Sequence, residues 1–284
     1  MYQLVEFGIR GVLLGVTYGV LALPIALLFV TTDAVDMAVG GYAVLAAALV
    51  MTIAGPLGIV VALLVALLTS AVTALIALKI NKPGLGDPLT GVLATYGVAT
   101  FLESFVLTAK GPDPMTRQSF GALWELGGIR IDPQVGINVA VGLAALSVLA
   151  FLLFRTSYGR SMRVSALNPT GAALAGIPVW WVWFSTYVIG GGLAGISGAL
   201  IVHTTGTIYS VGLPLTLSSF AAAVLFGLQG PARAFLGGVV MGLIESLSSG
   251  LLPGAWGSSV PLLFIFVVLA SGRASKQAIV GARA

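Results

Sequence analysis

Residues 37–78 contain no aspartate, glutamate, lysine, arginine or histidine, and this stretch limits the fold more than any other in the chain. A helical bilayer crossing takes about 20 residues, so an uncharged run of this length predicts two crossings, turned at the Gly55-Pro56 pair. A soluble domain built around such a run would need a polar surface from the rest of the chain. Little is on offer: 8% of residues are charged, 58% are hydrophobic, and the mean hydropathy is +1.08. The apolar runs are continuous instead of alternating, which predicts an all-α, polytopic transmembrane helical bundle and speaks against a β-barrel. Residues 1–284 read as one transmembrane domain.

Charges mark the ends of the runs. Further apolar stretches at residues 11–30, 89–109, 133–154, 182–202, 213–228, 234–249 and 260–271 bring the expected total to about eight or nine spans. Loop lysines and arginines are retained on the cytoplasmic side. Alternation gathers Lys79, Lys82, Arg155, Arg160, Arg163, Arg233 and the C-terminal Arg273, Lys276 and Arg283 on one face, with Lys110, Arg117 and Arg130 opposite, balanced by Asp113, Glu125 and Asp132. The C-terminus is therefore expected in the cytoplasm and the 110–132 loop outside. An odd span count puts the N-terminus, with Arg10, outside as well. This topology accounts for the net charge of +4. The basic residues form no stripe on one face, so no nucleic-acid partner is expected. There is no cysteine, hence no disulfide and no thiolate metal site, and no metal constellation is evident. Residues 1–10 lack the basic start of a cleaved signal, so the first run is expected to remain as a span. Trp180, Trp181 and Trp183 fit an aromatic belt at the cytoplasmic interface, and Trp256 fits one at the outer interface.

Residues 155–180 break the apolar pattern. Arg155, Arg160 and Arg163 follow directly on an uncharged run, and a short helix comes next with both ends written into the sequence. Asn168 is a good N-cap, Pro169 suits the first helical position, and Gly176 supplies the left-handed residue that ends helices. The stretch between, with Ala172 and Ala173 at its centre, is too short to cross a membrane and too bland to be a domain. It reads as a docking knob, while the arginines also read as positive-inside anchors. No GxxxxGK[ST] sequence is present, so ATP and Mg are expected on other subunits, with no cofactor on this chain. No Ser/His, paired Asp or HExxH arrangement supports a hydrolase.

Several stretches, in order, are more specific: LATYGVATFLESFVLTAKGPDP at 93–114, RTSYGRSMR at 155–163, AALAGI at 172–177, GGGLAGISGAL at 190–200 and SSFAAAVLFGLQGPARAFLGGVVMGLIESL at 218–247. Through them the chain resembles the LivH-type permease subunits of branched-chain amino-acid ABC importers over most of its length. The resemblance implies that the helix at 168–176 is a coupling element seated in a groove of a cytoplasmic ATPase subunit. Arg160, Arg163, Asn168, Pro169, Ala172, Ala173 and Gly176 would be its coupling residues. It further implies two ATPase subunits, a second permease subunit (a paralogue or a second copy), a periplasmic solute-binding protein, and a place in the lipid of the bacterial cytoplasmic membrane. The implied cargo is branched-chain or other apolar amino acids. The 110–132 loop and the LPGAWGSS turn at 252–259 would receive the binding protein.

An ionisable group inside an apolar run is costly unless water or a partner meets it. Asp33 with Asp36, Glu103, His203 and Glu245 stand in such places. Where the LivH type reads Asn, aromatic, Ala, His, Gly, acidic, this chain has Asp36, Met37, Ala38, Val39, Gly40 and Gly41. DMAVG is also similar to the Asp-Leu-Ser-Val-Gly of sugar-importer permeases. A helix broken near Gly40, with Thr32 just before it, either presents Asp36 to a substrate pathway or uses Asp36 as a cap. Tyr96 and Glu103, two turns apart, share a face that lines either a wet pathway or a subunit contact. Gly238 and Gly242 form a small-xxx-small pair, which makes Glu245 an interface residue sooner than a substrate contact. His203 reads as a satisfied interfacial residue. Two rival functions stay open: the same machine moving urea, short amides or another small polar solute, and a channel or ion-coupled secondary transporter using Asp36, Glu103 and His203.

Overall fold

The computed structural model describes residues 2–32, 34–80, 88–117, 124–126, 129–131, 133–228 and 230–251, and near the C-terminus 260, 263–264 and 266–267. Asp33, Lys82, Asp132, the 252–259 turn with Trp256, most of the 260–271 run, and Arg273, Lys276 and Arg283 lie outside the described residues.

The helices are α1 (Tyr2–Thr32), α2 (Val39–Thr52), α3 (Pro56–Ile80), α4 (Pro88–Lys110), α5 (Gln134–Arg155), α6 (Ser157–Leu167), α7 (Pro169–Leu174), α8 (Val179–Val202), α9 (Gly212–Leu225) and α10 (Pro231–Leu251). A two-stranded hairpin, Trp124–Leu126 with Ile129–Ile131, lies between α4 and α5. The uncharged 37–78 run does fold as two helices around Gly55, whose φ of 80° supplies the left-handed turn.

Among the described residues, six helices are long and apolar enough to cross a membrane: α1, α3, α4, α5, α8 and α10. The expectation of about eight or nine spans thus stands against six such helices and two shorter apolar ones among the described residues, with most of the 260–271 run outside them. Two of the expected spans are half-length helices, α2 and α9, each continued by non-helical backbone. Residues 34–38 lead into α2, and residues 203–211, with a single 3-10 turn at Tyr209–Val211, lead into α9. Residues 34–38 are covered by protein, as irregular backbone within lipid requires, while Thr205 and Ser210 of the second break are exposed.

Glycine sets the packing. A Cβ added to Gly238 or Gly242 on α10 would lie 2.1 Å from the backbone nitrogen of Gly19 or Gly15 on α1, so the two helices touch backbone to backbone, as small residues in lipid allow. In the same way α8 rests on α3, where a Cβ on Gly191 would lie 2.0 Å from Ser70 Oγ and one on Gly195 would lie 2.9 Å from Ala66 Cβ. Ser197 Oγ on α8 donates to Thr17 O on α1 at 3.1 Å. Buried almost throughout, α2 sits at the centre.

The connectivity repeats with opposite sense. α1 runs toward the end of the bundle that carries Arg163, where Thr31 and Arg163 line one cavity; here this is called the basic end. α2 then runs away from it, to where Arg117 Nη1 donates to Val50 O at 2.5 Å. α8 starts at the basic end after α7, and α9 runs back toward Gly230, at the same basic-end cavity. Long helix, extended break, half-helix and long helix therefore occur twice, as α1–α2–α3 and as α8–α9–α10, inverted relative to each other. This is the architecture of inverted-repeat transporters. Each half's first helix packs on the other half's third.

Candidate functional site

Two places concentrate polar chemistry. In mid-bundle the starts of α2 and α9 meet: a Cβ on Gly40 would fall 1.8 Å from Gly212 O, and one on Gly212 would fall 2.6 Å from Glu103 Oε1, so Gly40 admits no side chain and one at Gly212 would displace the Glu103 carboxylate. Two helix N-termini aimed at one spot leave free N–H donors and positive dipole ends. The chain answers with two carboxylates. Asp36 Oδ1 accepts from Ala38 N at 2.8 Å, and Tyr42 Oη donates to Asp36 Oδ2 at 3.3 Å. Glu103 Oε1, reaching across from α4, accepts from Leu213 N at 2.9 Å. Two threonines complete the knot. Thr95 Oγ1 accepts from Met37 N at 3.1 Å, and Thr216 Oγ1 accepts from Gly40 N at 2.9 Å while lying 3.2 Å from Met37 O.

Asp36 and Gly40 are buried and reach no open surface in this conformation. Thr32 Oγ1 donates to Leu28 O at 2.8 Å and accepts weakly from Ala34 N at 3.3 Å, closing the end of α1. Glu103 is half-buried, and Tyr96 is exposed on the outer side of α4, so these two share a helix face without meeting. Glu245 accepts from Tyr18 Oη at 2.7 Å across the α1–α10 contact, and buried His203 has Nδ1 2.8 Å from Ala199 O. No group of three or more His, Cys, Asp or Glu capable of holding a metal occurs among the described residues. Thr216 and Gly212 carry no mark of their own in the sequence. The signal that finds them is a recurrence: Val39-Gly40 opens α2 and Val211-Gly212 opens α9, each a few residues after a Thr-Thr pair.

The second place is the basic end. α5 stops at Arg155, and the chain turns a tight corner into α6. Gly159 makes the corner possible, since a Cβ there would lie 2.1 Å from Leu153 O. Thr156 Oγ1 caps α6 by accepting from Gly159 N at 3.1 Å. The Arg163 guanidinium donates to Leu153 O and lies 5.7 Å from the centre of the Phe154 ring. Tyr158 Oη contacts Ser185 Oγ and so ties α6 to α8; burial pushes its phenol pKa up, keeping it neutral.

α7 then forms between the expected stops. Asn168 Oδ1 accepts from Gly171 N at 2.8 Å, Pro169 takes the first turn, and Gly176 has φ 82°. Gly176 N donates to Ala173 O and Ile177 N to Ala172 O, both at 3.0 Å, the paired bonds of a Schellman ending. Ala172, at 1% exposure, faces the body of the protein, while Ala173 is exposed. Leu167, the last residue of α6, and Leu174, the last of α7, are exposed to 88% and 86%, and Arg160 and Arg163 on α6 are exposed as well. Of the three tryptophans expected in an aromatic belt, Trp180 and Trp181 are at least partly exposed and pack with Phe184, whereas Trp183 is buried in the core; it lies on the side of α8 that packs inward.

Comparison with known proteins places this architecture. Residues 8–269 match the family described as branched-chain amino acid transport system / permease component. The probable branched-chain amino acid transport permease protein LivH of Methanocaldococcus jannaschii is 26% identical over 84% of this chain and 79% of its own length. The high-affinity branched-chain amino acid transport system permease protein LivH of Escherichia coli is 28% identical over 64% of this chain and 61% of its own. The nucleoside ABC transporter permease protein NupB of Lactococcus lactis is 25% identical over 54% and 41%. In fold alone, the chain is similar to a solved structure of PsaBC from Streptococcus pneumoniae in complex with Fab. The TM-score is 0.52 at 14% identity, covering 93% of this chain and 90% of that one.

Proposed function

The chain belongs to the permease-component family of branched-chain amino acid transport systems, and from that premise we propose that it is the pathway-forming half of an ATP-driven importer. A second permease subunit, a copy or a paralogue, supplies the other half. Two cytoplasmic ATPase subunits bind ATP and Mg, and a solute-binding protein delivers branched-chain or other apolar amino acids. The basic end faces the cytoplasm, as loop arginines favour.

The observation that carries this reading is α7. Outside the apolar spans, the chain places a helix of six residues, capped at both ends and braced on α6, with two leucines almost wholly bare, Leu167 just before it and Leu174 at its end. Two bare leucines among exposed arginines suit a protein groove that is apolar at its floor and acidic at its rim. Leu167 and Leu174 are the anchors, Ala173 lies against the groove wall, Arg160 and Arg163 meet acidic groups at its rim, and buried Ala172 holds the helix to its own subunit. Closure of the ATPases then moves α6–α7 as a rigid body, and α5 and α8, joined to it at both ends, carry the motion into the bundle. Asp36, Gly40 and Thr32 serve as the scaffold of the mid-bundle knot, while Tyr96 and the free side of Glu103 border the pathway.

The test is uptake in liposomes containing the full complex. Ala173→Asp and Leu174→Asp are expected to insert and melt like the parent but to lose ATP-driven uptake by tenfold or more while ATP hydrolysis continues. Undiminished uptake in both variants overturns the assignment. A second cargo, a small polar solute, is favoured by one observation: the similarity to the nucleoside permease NupB. Ligand titration of the cognate binding protein decides between the two.

A further inference from the structure

Three long helices lie on the outside of the bundle, and one of them is not suited to lipid. In α3, α4 and α5 the most apolar windows are 28%, 22% and 22% buried, so all three show most of their surface. Their mean hydropathies are 2.8, 1.5 and 2.5. The bare face of α3 is aliphatic, with Leu57, Val60, Leu64 and Leu68, and that of α5 shows Leu143, Val148, Phe151 and Phe154. The bare face of α4 is mixed: Phe101 and Phe105 are exposed, and beside them runs a stripe of Tyr96, Thr100, Ser104 and Thr108, spaced four residues apart, a period that advances only about 40° around a helix per step. Gly97 lies beside them, and a Cβ there would meet no atom within 4 Å.

Hydroxyls in lipid normally bond back to their own helix. Thr100 and Thr108 do so, donating to Tyr96 O at 3.1 Å and Ser104 O at 2.9 Å. Among the described residues, no hydrogen bond engages the hydroxyl of Tyr96 or Ser104. Tyr96 stands eight residues into the helix, about 12 Å from its start, too deep for its hydroxyl to reach an interface easily. Toward the basic end the same face turns apolar, with Leu89 and Leu93 exposed.

We propose that the Tyr96–Thr100–Ser104–Thr108 face of α4 is one wall of a water-filled solute pathway, with Leu89 and Leu93 as its apolar constriction at the basic end. This rests on the reading of the chain as half of a permease pair, the second subunit standing across the water. The wall has hydroxyls and a glycine notch, and the one carboxylate beside it, Glu103, is half-buried with Oε1 turned to Leu213 N. It therefore suits a small solute of zero net charge, a zwitterion included, that slides without a strong site; loose binding favours passage. The apolar constriction gates by drying when the leucines of the two subunits close together.

The chain has no cysteine, so single cysteines report without further engineering. Thr100→Cys, Ser104→Cys and Thr108→Cys, with Leu68→Cys on α3 and Val148→Cys on α5 for comparison, are placed in the complete complex in liposomes and exposed to a charged methanethiosulfonate reagent. The α4 variants are expected to react at least tenfold faster than the α3 and α5 variants and to lose uptake on reaction. Leu93→Ser is expected to raise solute leak without ATP severalfold. Reaction at the three α4 positions as slow as at Leu68→Cys, with ATP-driven uptake intact, overturns the pathway assignment and leaves the importer reading standing. If the parent complex shows no ATP-driven uptake, the importer reading fails, and the labelling contrast still decides whether α4 faces water.

Discussion

Removing the two stops of α7 tests whether local capping, and not the neighbouring helices, holds the knob in shape. A helix of six residues is far below the length at which helices persist alone, so its ends should count heavily. Asn168→Ala removes the 2.8 Å bond to Gly171 N, a loss of about 1 kcal/mol for an N-cap. Gly176→Ala forces an L side chain to φ 82°; an added Cβ meets nothing within 4 Å, so the cost is backbone strain alone, about 1 kcal/mol. At about 1.4 kcal/mol per factor of ten, each variant should shift local opening about fivefold, and the pair about thirtyfold if the ends act independently. Hydrogen exchange measures this directly at the amides of Ala172, Ala175 and Ile177, bonded to Asn168 O, Gly171 O and Ala172 O, because these exchange only when α7 opens. Amides in the middle of α6 serve as the internal reference and should not change. An acceleration below twofold in the double variant refutes the reasoning, and would mean that burial of Ala172 alone fixes the helix.

Gly238→Val should be among the most damaging substitutions, since its Cβ would sit 2.1 Å from Gly19 N and backbone has no room to yield. A loss of about 4 kcal/mol or more is expected, read as a collapse of thermal stability in detergent; a near-parental melting curve would contradict the close α1–α10 crossing. Glu103→Ala should cost about 2 kcal/mol by leaving Leu213 N without its acceptor, and Glu103→Gln about half as much because an amide oxygen still accepts. Equal melting of both variants and the parent would show that the carboxylate does not hold the start of α9.

What the sequence makes legible and what it hides divide along a physical line. Local signals were readable: the cap at Asn168, the stop at Gly176, the turn at Gly55 and the small-residue pair Gly238 and Gly242 act through their own backbone or a single helix face. The half-helices were not. The apolar run through 213–228 looks like a span in composition, and only the meeting of Gly40 with Gly212 shows that α2 and α9 both start inside the bundle. Glu103 was visible as an intramembrane acid, yet its partner is a backbone N–H at Leu213, and backbone donors leave no trace in composition. For Asp36 the residue pattern offers a pathway and a cap equally; its bond to Ala38 N is a turn bond just ahead of α2. Ala172 and Ala173 are indistinguishable as letters, and the side of a six-residue helix that faces home depends on Gly159 and the corner it permits.

The crossing of the two halves has a consequence for how the protein is made. A ribosome releases α1 first, but its Gly15 and Gly19 surface and the Tyr18 hydroxyl find their counterparts only on α10, more than two hundred residues later. Until then the newly inserted helix waits in the bilayer with its docking groove open to acyl chains or to any protein that shields it. Assembly is therefore timed by the synthesis of α10, and a chain cut short before Pro231 should be held or degraded instead of folding as a smaller bundle.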